Sequence, residues 1–224
     1  MSETDQIPNV GVTLITVHKI ITRALHVSAD SARGLGKYNQ PERSIYKGFV
    51  DYTYCTLIFL DGHHLLEDEL VFPYFRPRIR DAPYVELISQ HQKIAQLITD
   101  ARSTLAEIEP NVADLKLLER LRHLLLHIDA LWHPHIAQEE LHLNPETIAR
   151  VLTPEERIDT ARHFGEYAQQ KNQPDFLLVP FTLFNLEISE REKMMAGFPP
   201  VITQQLLPVV WKGKWEHMQP YLLN

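Results

Sequence analysis

At 224 residues the chain is long enough for one well-packed domain, or for one domain with an appendage. Apolar residues make up 44% and charged residues 23%, which are ordinary globular proportions. The formal charge of −7, with both signs interspersed, gives no basic surface for nucleic acid, and the absence of an unbroken run of about 18 apolar residues argues against a membrane span.

The first residues, MSETDQIPNVG, are acidic and polar and do not resemble a targeting peptide. A first helix is predicted from about Val10 to Ser28, with an apolar stripe at Leu14, His18, Ile21 and Leu25. The polar segment Asp30 to Pro41 reads as a connection; its Gly34-Leu35-Gly36 lacks the spacing and strand context of a phosphate loop. A second helix is predicted over about Ser44 to Tyr74, ended by Pro73 and Pro77. It carries the only cysteine, Cys55, which cannot close an internal disulfide; this suits a reducing interior and predicts a cytoplasmic location. Asp81-Ala82-Pro83 resembles a helix start, and the third stripe reads Tyr84, Leu87, His91, Ile94, Ile98, Ala101, Leu105. A fourth helix follows Pro110-Asn111 and ends before Asn144-Pro145. Four amphipathic helices with short connections predict an all-α fold, an antiparallel up-down-up-down four-helix bundle over residues 1–145. Thr153-Pro154-Glu155-Glu156 is a capping box opening another helix to about Gln170. Beyond it come shorter apolar pieces broken by prolines 174, 180, 199, 200, 208 and 220, so residues 146–224 are expected to form a helical C-terminal extension packed on the bundle.

Histidine is the unusual component, 12 in all. Each predicted bundle helix places one on its own core stripe: His18, His63, His91 and His135. Two helices add a carboxylate four residues on, Glu67 after His63 and Glu139 after His135, and four residues is about 400° of helix, so each pair shares a face. Imidazoles and carboxylates thus stand where a bundle core would hold leucine. Buried carboxylates are costly unless paired or bound to a metal, so the six residues predict a metal centre inside the bundle. With no thiolate, the donor set suits iron or manganese and accepts zinc. Pro134, directly before His135, is expected to kink the fourth helix, and Trp132, one turn earlier, to line the pocket. His142 lies about 10.5 Å beyond His135 and is read as structural. His26 is read as surface, and His123, His127, His133, His163 and His217 carry no role. His64, Asp68 and Glu140 point about 100° away from the ligand faces and are read as a solvated face, with hydrogen bonding to a ligand imidazole of the next helix as the alternative.

These motifs resemble the hemerythrin family, in its broad HHE cation-binding branch. His18, His63-His64-x-x-Glu67-Asp68 with Pro73 following, His91, and His135-x-x-x-Glu139-Glu140 match its pattern in order. The segment PVVWKGKWEHMQPYLL, from Pro208, is similar to the tail of extended fungal members. The resemblance implies two iron ions bridged by the two carboxylates and an oxo or hydroxo group, with histidines in outer positions and manganese or zinc as substitutes. Oxygen-carrying members have two histidines one turn apart on the third helix, whereas the positions four from His91 are Leu87 and Ala95. Two six-coordinate metals need about twelve donor positions, and this set supplies about ten, leaving about two open to a small ligand. The implied function is binding or sensing of O2, NO or peroxide, or of iron and redox state. The alternatives are an oxidase or peroxidase and an iron-handling protein without turnover. The oligomeric state is not legible.

Overall fold

The structure is a computed structural model that describes residues 7–36, 42–109 and 114–223. All regular structure among these residues is helical. Helix α1 spans Val10–Leu35 and is opened by Asn9, whose side chain accepts from the Gly11 N–H at 2.9 Å. Its predicted stripe is buried, but the helix runs on past Ser28 because Ala29, Ala32 and Leu35 extend the same buried face. The segment read as a connection is therefore helical as far as Leu35, and its residues 37–41 lie outside the described residues.

Helix α2, Arg43–Leu66, runs into a π turn, Glu67–Val71, and a last α turn, α3, Phe72–Phe75. The course of the predicted second helix is continuous, but its hydrogen bonding widens at Glu67, where the Phe72 N–H returns to the Glu67 carbonyl. The wide turn lies immediately before Pro73, whose ring would clash with the carbonyl four residues back in a regular α turn. Helix α4 spans Tyr84–Ile108 with Pro83 at the cap position and no side-chain cap, so Asp81 does not play the capping part its sequence context suggests. Helix α5, Leu115–His142, is capped by Asp114, which accepts from the N–H groups of Lys116 and Leu117; Pro110 and Asn111 lie outside the described residues. The helix continues through Pro134.

α1 packs on α2 and α5, and α4 packs on the same two, closing a four-helix ring. The apolar core inside it falls into two clusters, one holding Ile21, Leu60, Ile94 and Trp132, the other Leu14, Phe72, Leu87 and Leu143. Along α1 and α4 the chain passes from the second cluster through a histidine to the first; along α2 and α5 it passes the other way. The passages through the layer therefore alternate in direction. By length and a mean hydropathy of 1.2, α1 is long and apolar enough to cross a membrane, although it has no unbroken apolar run. Here its apolar residues Ile20, Ile21, Ala24 and Leu25 are buried in the bundle.

The rest of the chain wraps the bundle: α6, Pro145–Val151; α7, Pro154–Lys171, with the capping box at Thr153 and Glu156; α8, Asp175–Phe184; and α9, Ile188–Met195. A π segment, Ile202–Val210, α10, Lys212–Trp215, and a 3-10 turn, Glu216–Tyr221, follow. Pro180 and Pro208 lie inside helical segments and do not break them, contrary to the sequence reading. α7, α8 and the 3-10 turn all pack on α2. A buried polar node fastens them. Arg23 of α1 donates to Asn185 Oδ1 and to the Tyr221 carbonyl, the latter at 3.1 Å, while Tyr52 of α2 donates to Asn185 Oδ1 at 2.6 Å.

Gly48 of α2 marks the closest approach: a Cβ there would stand 2.0 Å from the carbonyl oxygen of His217. A Cβ at Gly34 would meet nothing within 4 Å. Gly48→Ala is expected to destabilise the chain by about 1–3 kcal/mol through overpacking, and Gly34→Ala to be neutral or to stabilise by up to about 1 kcal/mol. Chemical denaturation of the two variants checks this; equal effects would contradict the described seating of the C-terminal turn.

Candidate metal centre

Each helix delivers its share of the centre to one layer between the two apolar clusters. His18 comes from α1, His63 from α2, Glu67 from the π turn, His91 from α4, and His135 and Glu139 from α5, and none is more than 6% exposed. His64, read from the sequence as solvated, is 5% exposed and joins them. The donor atoms form two groups, each within 4.8 Å of one another: His18, His63, Glu67 and Glu139 in one, His64, Glu67, His91 and His135 in the other. Glu67 belongs to both. Its Oε1 lies 3.1 Å from His63 Nε2, and its Oε2 lies 3.4 Å from His91 Nε2. Glu139 Oε2 likewise lies 3.3 Å from His18 Nε2 and 3.7 Å from His135 Nε2. Both carboxylates thus stand between two sets of imidazoles, which is the arrangement a carboxylate needs to bridge a pair of cations.

The outward-facing ring nitrogens fix the tautomers. His18 Nδ1–H donates to Glu140 Oε1 at 2.7 Å, and His91 Nδ1–H donates to Asp68 Oδ1 at 2.8 Å. His135 Nδ1–H donates to Gln90 Oε1 at 2.9 Å; the Gln90 amide is oriented by its own donation to Gln138 at 3.1 Å. Ionised carboxylates and the amide oxygen only accept, so these rings carry a proton on Nδ1 and, when neutral, turn a bare Nε2 lone pair inward. The consequence is visible where His91 Nε2 and His135 Nε2 face each other at 3.1 Å. Two lone pairs at that distance repel unless a proton or a cation lies between them. Asp68 and Glu140 are therefore ligand-orienting acceptors, which is the alternative of the sequence reading and not the solvated face it favours.

The layer does not satisfy itself. His18 Nε2, His63 Nε2, both nitrogens of His64, and both oxygens of Glu67 and of Glu139 are buried without a hydrogen-bond partner. Buried polar atoms are normally paired, so this concentration of orphans in one layer is the mark of a site that fits a cation. Burial, then the charge of Glu139, pushes the Glu67 carboxyl well up. Burial would do the same to Glu139, but the neighbouring His18 and the other imidazoles hold it at about 2. Burial alone would lower His18, yet Glu139 and Glu140 outweigh it and its pKa is raised. Burial drives His63 and His64 well down, and His135 down to about 4. His63, His64 and His135 are thereby held neutral, the form that ligates metal.

Apolar groups seal the layer. Trp132, fully buried, sets its ring edge-on to His18 at 5.2 Å and donates from Nε1 to Thr22 Oγ1 at 2.8 Å. His91 is stacked between His64, at 4.0 Å, and Phe72, at 5.5 Å. His142, although it completes a Glu-x-x-His with Glu139, turns away and faces Asp81 at 3.9 Å, outside the centre.

Residues 12–147 match the family model of the hemerythrin HHE cation binding domain. No curated protein and no solved structure gives a match. Truncating either outer acceptor frees an imidazole to turn, so Asp68→Ala or Glu140→Ala is expected to weaken metal binding about 10–100-fold while the chain stays folded. Competition against a chelator of known strength measures this, and an unchanged affinity would show that these carboxylates do not orient ligands.

Proposed function

The chain belongs to the hemerythrin HHE cation-binding domain family, and from that premise we propose that its buried layer holds a pair of iron ions and binds a small ligand such as O2, NO or peroxide. The observation that carries this reading is the position of Glu67 and Glu139, each between two groups of imidazoles. His18 and His63 would serve one ion, His64, His91 and His135 the other, with both carboxylates shared. His64 answers the departure on α4, where only His91 faces the layer: the neighbouring helix supplies the donor that α4 lacks. Seven such side chains with a solvent-derived bridge leave about one position open on the pair. Bound iron supplies that open position and one-electron redox chemistry; the chain supplies orientation through Asp68, Glu140 and Gln90, and dryness through Trp132 and Phe72.

Access supports a small-ligand role. His63 also lines a cavity of about 590 Å³ between the bundle and the C-terminal helices, together with Phe59, Leu66, Leu178, Val179 and Phe198. A cavity that is apolar on this side, with Arg162, Glu166 and Asp175 elsewhere in its lining, and that touches a ligand imidazole would admit a small uncharged molecule. The size of that cavity also favours a second reading, an oxidase or peroxidase acting on an apolar molecule. Sustained consumption of O2 or peroxide in excess of bound iron would select it.

Elemental analysis of chain loaded anaerobically with ferrous iron is expected to give about two irons per chain, with a visible spectrum that changes on adding O2 or NO. A single metal per chain, or iron whose spectrum ignores these ligands, would overturn the reading. The His64→Ala variant is expected to lose iron and His142→Ala to keep it; equal iron in both would remove His64 from the ligand set.

A further inference from the structure

α1 and α5 meet a second time outside the core, about 12 Å along α1 from His18. There His26 of α1 faces Asp129 and His133 of α5. His26 Nε2 lies 3.2 Å from Asp129 Oδ1, and His133 Nε2 lies 3.4 Å from the same oxygen. All three donor atoms lie within 4.8 Å of one another. We propose that His26, Asp129 and His133 form a separate, solvent-facing site for one zinc-type divalent cation.

Three observations carry this. A tetrahedral zinc ion with bonds of about 2.0–2.1 Å keeps its ligand atoms about 3.3–3.4 Å apart, so separations of 3.2 and 3.4 Å are close to the edges of such a tetrahedron. Neither contact is a hydrogen bond, for Asp129 Oδ1 is shielded from solvent yet has no hydrogen-bond partner; the imidazoles are aimed past the oxygen and not at it. The spacing is also held by the backbone. Asp129 and His133 are one turn apart on α5, and α1 packs along α5 throughout the bundle. The donor set, two imidazoles and one carboxylate without thiolate, is one that zinc takes in sites with an open fourth position. The side chains of His26 and His133 are 53% and 49% exposed, so that position faces water. The simple alternative is a surface ion pair of protonated histidines with Asp129, which requires no metal.

The test uses the full chain and is independent of what the buried layer holds. Zinc bound at neutral pH is counted on the wild type and on the double variant His26→Ala/His133→Ala after identical loading and dialysis. The expected difference is about one zinc per chain, with iron content equal in both. Cobalt(II) added to the wild type is expected to give the intense visible bands of tetrahedral coordination, and the double variant not to. Equal zinc in the two proteins, or a cobalt spectrum that the double variant retains, would overturn the site. Zinc that binds both chains and washes off both alike counts as an adventitious ion only, and overturns it as well.

Discussion

Two carboxylates and five imidazoles buried in a single layer of a helix bundle set the terms for everything around them. An isolated carboxylate in a protein interior costs several kcal/mol even after relaxation, so such a layer persists only where charge and lone pairs are answered. Here the outer nitrogens of His18, His91 and His135 are answered by Glu140, Asp68 and Gln90. The inner nitrogens and all four carboxylate oxygens of Glu67 and Glu139 face one another across a shared space. The layer also divides the apolar core, leaving one cluster on each side of it. A bundle built only for stability would fill the gap with leucine. The chain gives up that packing and recovers it by binding, since a cation that enters the folded layer and not the unfolded chain stabilises the fold by linkage.

The C-terminal third is bound up with the same layer. By packing α7, α8 and the final 3-10 turn on α2, it buries the side of that helix which a bare four-helix bundle would leave in water. Phe59 is buried in consequence, against Phe181 of α8, whereas His64, on another face of α2, is buried inside the bundle against His91 and His135. The Arg23–Tyr52–Asn185 node locks this cover to α1 and α2. The space left between cover and bundle is the cavity that His63 helps to line.

This explains what could be read from sequence and what could not. The four histidines and two glutamates were legible because a helix repeats its inward face every 3.6 residues, and each of them falls on the same stripe as buried leucines and isoleucines. His64 was not, because it lies off the centre of that stripe and is buried by the packing of α2 on α4, which stacks it on His91. Asp68 and Glu140 were legible only as an alternative: each reaches a histidine on another helix, and the interhelical register that joins them is not written in either segment alone. The end of α1 was placed too early because Asp30 and Gly34 resemble a turn, yet they lie on its exposed side while Ala29, Ala32 and Leu35 continue the buried one. His26, Asp129 and His133 carry no periodic signal at all, and only the packing of α1 on α5 brings them together.

The most direct measurement is thermal unfolding of the metal-free and the iron-loaded chain, alongside the variant Glu67→Leu. If the layer is a metal centre, the wild type unfolds at a clearly higher temperature when loaded. The variant, relieved of a buried carboxylate that lacks partners, is as stable as metal-free wild type or more so, and it no longer responds to iron. A wild type whose unfolding is indifferent to iron, with Glu67→Leu markedly destabilised, would contradict the account. The seven polar residues would then be a structural network and not a site.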